Sequence, residues 1–170
     1  MREIKSGGQT MQIRASNLTR MYYYQEFGVD IGQDLDKITV AIESQNAVAE
    51  LEKLPVDKLE GIIKLQNINN VPPDEGIKIL ENTGLDKNPE LMRALMLVGA
   101  NGGNIHMPGM ELIRVTWAMN KSQNTAENIQ TLPFDQWLAK YDDFDFEGAF
   151  SDIYLEIARG FFCKENNGEG

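Results

Sequence analysis

From Asn17 onward the apolar residues of this chain recur at intervals of three and four, and the period of two that marks a strand is confined to the residues before it. That contrast restricts the fold to helices packed on one another, joined by no more than a small β-ribbon. Residues 2–5 and 10–14 alternate around Ser6-Gly7-Gly8-Gln9, with Ile4, Met11 and Ile13 as their apolar positions. Paired glycines supply the positive φ that a tight hairpin turn demands. A two-stranded ribbon is marginal alone, so it is expected to lie on the helices that follow.

Local stop and start signals divide the remainder. Ser16 is suited to cap a helix over Asn17–Phe27, with Leu18, Met21, Tyr22 and Tyr24 or Gln25 on successive turns and Gly28 as its stop. Asp30 can cap the next, whose stripe is Ile31, Leu35, Ile38, Ile42, Gln45 and Ala49. Asp34, Lys37, Glu43 and Glu50 form its expected solvated face, and it ends before Pro55. Short helices follow through Leu59, Ile62, Ile63 and Leu65, then through Ile77, Ile79 and Leu80 up to Gly84. Asn67, Asn69, Asn70 and Pro72-Pro73 separate these two. Asn88-Pro89-Glu90 is a cap with proline at the first helical position, starting a helix through Leu91, Leu95 and Val98 that Asn101-Gly102-Gly103-Asn104 breaks.

Pro108 begins a helix with Met110, Ile113, Trp117 and Lys121 on one line and Leu112, Val115 and Met119 beside it. Residues 122–131 are polar and aperiodic, so a loop is expected there. Pro133 opens a helix with Phe134, Trp137, Leu138 and Tyr141, ended by Asp142-Asp143. Asp145 can cap the last, with Phe146, Phe150, Ile153, Tyr154, Ile157 and Phe161 on its face, before a polar tail over 164–170. The expected architecture is mainly α: one multi-helix domain over 1–163, with a β-hairpin at 2–14 and helices from about 17 to 162.

Charge narrows the partners. The formal net charge is -10, distributed as +1 over residues 1–30, -5 over 31–130 and -6 over 131–170. An acidic surface repels phosphate backbones and anionic lipid, so neither nucleic acid nor membrane is an expected partner. No apolar run approaches the ~20 residues of a spanning helix. The single Cys163 cannot form an internal disulfide, and no charged segment with an apolar core opens the chain, which fits the cytoplasm.

Each candidate for chemistry is incomplete. Asp143, Asp145, Glu147 and Gly148 follow the opening of an EF-hand loop, but the twelfth position, which must bring a bidentate carboxylate, is Tyr154. Gly99-Ala100-Asn101-Gly102-Gly103 lacks the lysine and hydroxyl of a phosphate loop. His106 has no second histidine or cysteine at ligand spacing, and no motif activates Cys163. A non-enzymatic protein with no cofactor and no metal is therefore expected. Binding candidates are the large aromatics. Tyr22, Tyr23 and Tyr24 cannot all face one way on a helix, so at least one hydroxyl reaches the surface. Trp117 and Trp137 lie on apolar stripes and suit either core or contact. The candidate partner-binding set is Tyr23, Tyr24, Trp117, Trp137, Tyr141, Phe161 and Phe162.

The segments SGGQTMQIRAS, MYYYQEFG with DIGQDL, ELIRVTWAMNKS, LPFDQWLAKYDDFDF and EIARGFF stand in an order and spacing that resemble the tail assembly chaperones of long-tailed phages and prophages of Gram-positive bacteria. The likeness covers roughly residues 1–50 and 110–163; Pro133 replaces the family's usual serine before its F-x-x-W-L segment. The resemblance implies a helical, non-catalytic protein of the host cytoplasm, absent from the mature virion. It would bind the long tape measure protein and keep it soluble before the tail tube polymerises. It also implies a longer form made by ribosomal frameshifting that recruits tail tube protein. Gly160-Phe161-Phe162-Cys163 could be encoded by the uridine run on which such slippage occurs. Self-association is compatible with this reading. The alternative is a virion structural or head-tail connector protein.

Overall fold

The computed structural model describes residues 1–66, 72–100 and 107–162. The breaks expected at Asn67, Asn69, Asn70 and 101–104, together with His106, Cys163 and the polar tail, lie outside these residues. The fold is mainly α with a short N-terminal β-hairpin, as the periodicity predicts. Where the sequence reads as one helical domain, contacts group the chain into two compact units, Met1–Thr39 with Met107–Gly170, and Val40–His106.

In the first unit, β1 (Arg2–Ser6) pairs antiparallel with β2 (Gln9–Ile13), bringing Ile4 opposite Met11 and Arg2 opposite Ile13. Gly7 and Gly8 turn the chain at φ 58° and 76°, the left-handed pair of a two-residue hairpin loop. Ile4, Met11 and Ile13 are all buried. The strand is anchored beyond its own ladder, because the Arg14 N–H donates to the Met119 carbonyl at 3.1 Å. Helix α1 (Asn17–Phe27) starts where Thr19 Oγ1 accepts the Ser16 N–H at 3.1 Å and ends at Gly28, φ 70°, whose N–H returns to the Tyr24 carbonyl. Both boundaries fall where the sequence places them.

Helix α2 (Gly32–Glu52) begins as Asp30 accepts the Gly32 N–H at 2.7 Å, and Ile31 just before it is buried in this unit with Leu35 and Ile38 of its first two turns. Asp34 departs from the sequence reading: it is interior, not on the solvated face. The other half of α2, from Val40, belongs to the second unit.

The helix at the centre of the first unit, here α6 in chain order (Gly109–Ala126), buries every residue from Val115 to Asn120. It runs five residues into the segment whose polarity predicts a loop. Those polar side chains are paired: Ser122 Oγ lies 2.7 Å from Ser16 Oγ, Gln123 donates to Glu127 at 2.7 Å, and Asn124 donates to Thr131 Oγ1 at 3.0 Å. A buried polar face with partners stands in for an apolar one. Helix α7 (Phe134–Lys140) follows Pro133, and α8 (Phe150–Ile157) starts later than the Asp145 cap predicts. Asp145 instead accepts the Gly148 N–H at 2.8 Å inside a turn that buries Phe144 and Phe146. A π-helical turn, Ala158–Phe162, continues α8. Gly160 there is so close to Ala15 that a Cβ would stand 2.6 Å from the Ala15 carbonyl oxygen.

The second unit adds α3 (Val56–Gln66), α4 (Pro73–Thr83), a 3-10 turn at Leu85–Lys87 and α5 (Pro89–Ala100). Its local signals also hold. Gly84 closes α4 at φ 72°, and Asn88 Oδ1 caps α5 by accepting the Leu91 N–H at 3.1 Å. Ile62, Leu85 and Leu91 form its core, flanked by half-buried Leu51, Leu54, Ile79, Leu80, Met92 and Leu95.

Candidate functional site

One chain of aromatic rings runs through the first unit. Tyr23 meets Phe27 at 4.8 Å between ring centroids, Phe27 meets Trp117 edge-on at 5.6 Å, and Phe134 contacts both Phe27 and Trp117, at 5.0 and 6.0 Å. Trp137 continues from Phe134 at 6.4 Å to Tyr141 at 5.1 Å and Phe146 at 5.8 Å, and Phe144 closes on both of these. Each such pair adds about 0.5–1.5 kcal/mol to its burial when the rings adopt edge or offset geometry. Cations lie against several rings: Lys121 Nζ stands 4.9 Å from the Tyr22 ring and 4.7 Å from Trp117, and Arg20 lies 5.2 Å over Phe161.

Three buried polar groups fix the register of this core. Asp34 accepts the Tyr23 hydroxyl and both nitrogens of the Arg114 fork, at 3.1 and 2.8 Å. Burial, then the hydrogen bond to Asp34, pushes the Tyr23 hydroxyl well above the ordinary tyrosine range. Asn120 donates to the Gln12 carbonyl at 2.8 Å and accepts the Trp137 indole N–H at 3.0 Å, so it joins hairpin, α6 and α7. Glu156 accepts the Ala15 N–H at 3.0 Å and the Arg159 guanidinium. Burial alone would raise the Glu156 carboxyl, but the hydrogen bonds from Arg159 and Ala15 outweigh it and hold it below the usual range.

The seven binding candidates divide by exposure. Tyr23, Trp117 and Trp137 are interior, and their hydroxyl and indoles are taken up by Asp34, Leu132 and Asn120. The apolar stripes on which they sit are core stripes. Tyr141 and Phe161 are half-buried, while Tyr24 is 63% and Phe162 52% exposed. Sequence reasoning missed the companions of Tyr24: Leu18 and Met21, expected on the packed side of α1, are open to solvent beside it. Their i, i+3, i+6 spacing places all three on one flank of the helix. The Leu18 side also borders a shallow hollow walled by Arg14, Ser16, Asn17, Ser122 and Ala126.

Among the described residues no group of three or more His, Cys, Asp or Glu side chains is placed to hold a metal ion, and no helix is long and apolar enough to cross a membrane. Fold and surface together define a mainly α-helical protein with an N-terminal hairpin, whose tryptophans are interior and whose open apolar residues are mostly aliphatic. A scan against protein-family models, a search of curated proteins and a search of solved structures each return no match.

Proposed function

We propose that this chain is a tail assembly chaperone that binds the tape measure protein and keeps it soluble until the tail tube assembles. One observation carries the reading. The stretches that resemble that family lie far apart in sequence, yet their characteristic residues meet: Phe27 of QEFG, Trp117 of TWAM, and Phe134 and Trp137 of LPFDQWL are consecutive neighbours in one aromatic chain. Phe161 of ARGFF joins the same unit through Arg20. Motifs that co-occur because they build one core support a common fold better than motifs scattered over a surface.

The contact surface we assign is the outer flank of α1, with Leu18, Met21 and Tyr24, and not the buried tryptophans. An amphipathic helix of a long helical partner can lay its apolar seam against such a flank, flexible Met and Leu adapting to a changing sequence. The net charge of -10 then keeps a loaded complex dispersed by self-repulsion. The test is co-expression with the tape measure protein that this reading requires in the same genome. A co-purifying complex and a rise in soluble tape measure are expected, both reduced by Leu18→Ser, Met21→Ser and Tyr24→Ser together. No complex and no gain in solubility would overturn the reading, and recovery of the protein in purified mature particles would favour a virion structural role. The longer form is read from the gene: a slippery heptamer and an overlapping downstream frame are required.

A further inference from the structure

The hairpin has an edge that its own helices leave partly open. Counting outward from the two-residue turn, the closing pair Ser6 and Gln9 is hydrogen-bonded, and the pairs alternate from there. The N–H and C=O of Thr10 and Gln12 therefore point away from β1. Two contacts agree with that phase: the Gln12 carbonyl accepts from Asn120 Nδ2 at 2.8 Å, and the Arg14 N–H reaches the Met119 carbonyl at 3.1 Å. Helix α6 thus covers the far end of this edge. Towards the turn, the Thr10 N–H and C=O and the Gln12 N–H have no protein partner among the described residues.

This stretch of edge is recessed. It forms one wall of a groove of about 330 Å³ that is also lined by Asn120 and Asn124 of α6, by the loop carrying Ile129 and Leu132, and by Trp137, Lys140 and Tyr141. Ile129 and Leu132 are exposed despite their size. Gln12 lines this groove, and its Oε1 is buried without a hydrogen-bond partner among the described residues, an omission that costs about 1–3 kcal/mol. The rim is acidic. Glu127 lines one side; exposed Asp142 and Asp143 follow Tyr141 on the other, and the hairpin tip is set against them because Gly7 packs on the Asp143 carbonyl. Against these three carboxylates stands the Lys140 ammonium, 5.3 Å over the Tyr141 ring.

We propose that the open edge of β2 docks an extended segment of a partner polypeptide in which apolar residues alternate with Lys or Arg. The segment adds a third strand to the hairpin. Its backbone bonds Thr10 and Gln12, its apolar side chains cover Ile129 and Leu132, and its cations meet Asp142, Asp143 and Glu127. The β1 edge is less suitable, since Glu3 and Lys5 stand exposed on it as an ion pair at 2.8 Å, the charged arrangement that blunts strand addition.

The probe is a fluorescent nine-residue peptide of alternating valine and lysine, titrated into the full chain. Saturable binding is expected, with amide shifts at Thr10 and Gln12 in ¹⁵N spectra. Affinity should fall at least tenfold when alternate peptide amides are N-methylated, and as much when glutamate replaces lysine. Thr10→Pro removes one outward donor from an edge strand, where proline is tolerated, and should weaken binding similarly. Ile129→Ser with Leu132→Ser, which leaves the hairpin untouched, provides the second variant. Binding indifferent to N-methylation, equal binding of a helical peptide of the same composition, or no shift at Thr10 and Gln12 at millimolar peptide would each overturn the proposal. Such a failure leaves the tape-measure reading standing, because that one rests on the aromatic chain and assigns its contact to α1.

Discussion

Replacing Asn120 by alanine should cost about 2–5 kcal/mol, although it removes only a few atoms. The figure follows from what the change strands. Asn120 is buried; its amide donates to the Gln12 carbonyl at 2.8 Å, and its oxygen accepts the Trp137 indole N–H at 3.0 Å and the Asn124 amide at 3.3 Å. After Asn120→Ala the Gln12 carbonyl and the Trp137 N–H, the latter on a side chain 2% exposed, lose their partners. The orphaned indole N–H costs about 1–3 kcal/mol, and the Gln12 carbonyl, on a half-buried residue that lines the groove, about 1–2 kcal/mol. For a chain of this size the loss corresponds to a fall in Tm of roughly 5–15 °C in scanning calorimetry. Exchange of the Trp137 indole proton in ¹⁵N spectra should accelerate as well. Trp137→Phe keeps the ring without the donor, so a double-mutant cycle should return a coupling of about 1 kcal/mol or more. A cost below about 1 kcal/mol for Asn120→Ala, or a coupling near zero, would refute the view that this side chain pins hairpin and α7 to α6.

Other outcomes follow from the same geometry. Gly7→Ala should destabilise the protein by at least about 1 kcal/mol more than Gly8→Ala in urea unfolding, since both glycines have positive φ but only at Gly7 would a Cβ meet the Asp143 carbonyl, at 2.2 Å. Glu156 has a folded-state pKa below its ordinary 4.5, so its contribution is complete above that value and is lost as pH falls through the depressed one. Urea midpoints should therefore drop on acidification below about pH 4.5, and less steeply for Glu156→Gln; identical profiles would contradict it. Arg114→Met leaves Asp34 buried without its cation and should cost about 3–5 kcal/mol, read from the urea midpoint. Amides in α3 and α4, over a core of three buried residues, should exchange faster than those of α6.

Features set by neighbouring residues were legible from sequence. The Gly7-Gly8 turn, the ends of α1 at Ser16 and Gly28, the Gly84 stop and the Asn88-Pro89 start each act within four or five residues, and the structure places them as expected. Features set by distant partners were not. Asp34 on α2 reads as a surface acid because Tyr23 and Arg114, 11 and 80 residues away, are invisible to periodicity. The last turns of α6 read as loop because Ser122 is satisfied by Ser16 across 106 residues. The tryptophans were correctly seen on apolar stripes, but a stripe does not say whether its cover belongs to the same chain. Here it does, and the open surface falls to Leu18 and Met21 instead.

The aromatic chain through the first unit has a spectroscopic consequence. All tryptophan, tyrosine and phenylalanine residues of the sequence lie outside 40–106, so the second unit contributes nothing to intrinsic fluorescence or to tyrosine and tryptophan bands in near-ultraviolet circular dichroism. Trp117 and Trp137, bridged by Phe134, report on the first unit alone, whereas far-ultraviolet dichroism sums helices from both. Overlaying the two melting curves therefore asks, without any label, whether α3 to α5 let go before the hairpin and α6. The amino-acid distribution itself makes each unit optically distinguishable.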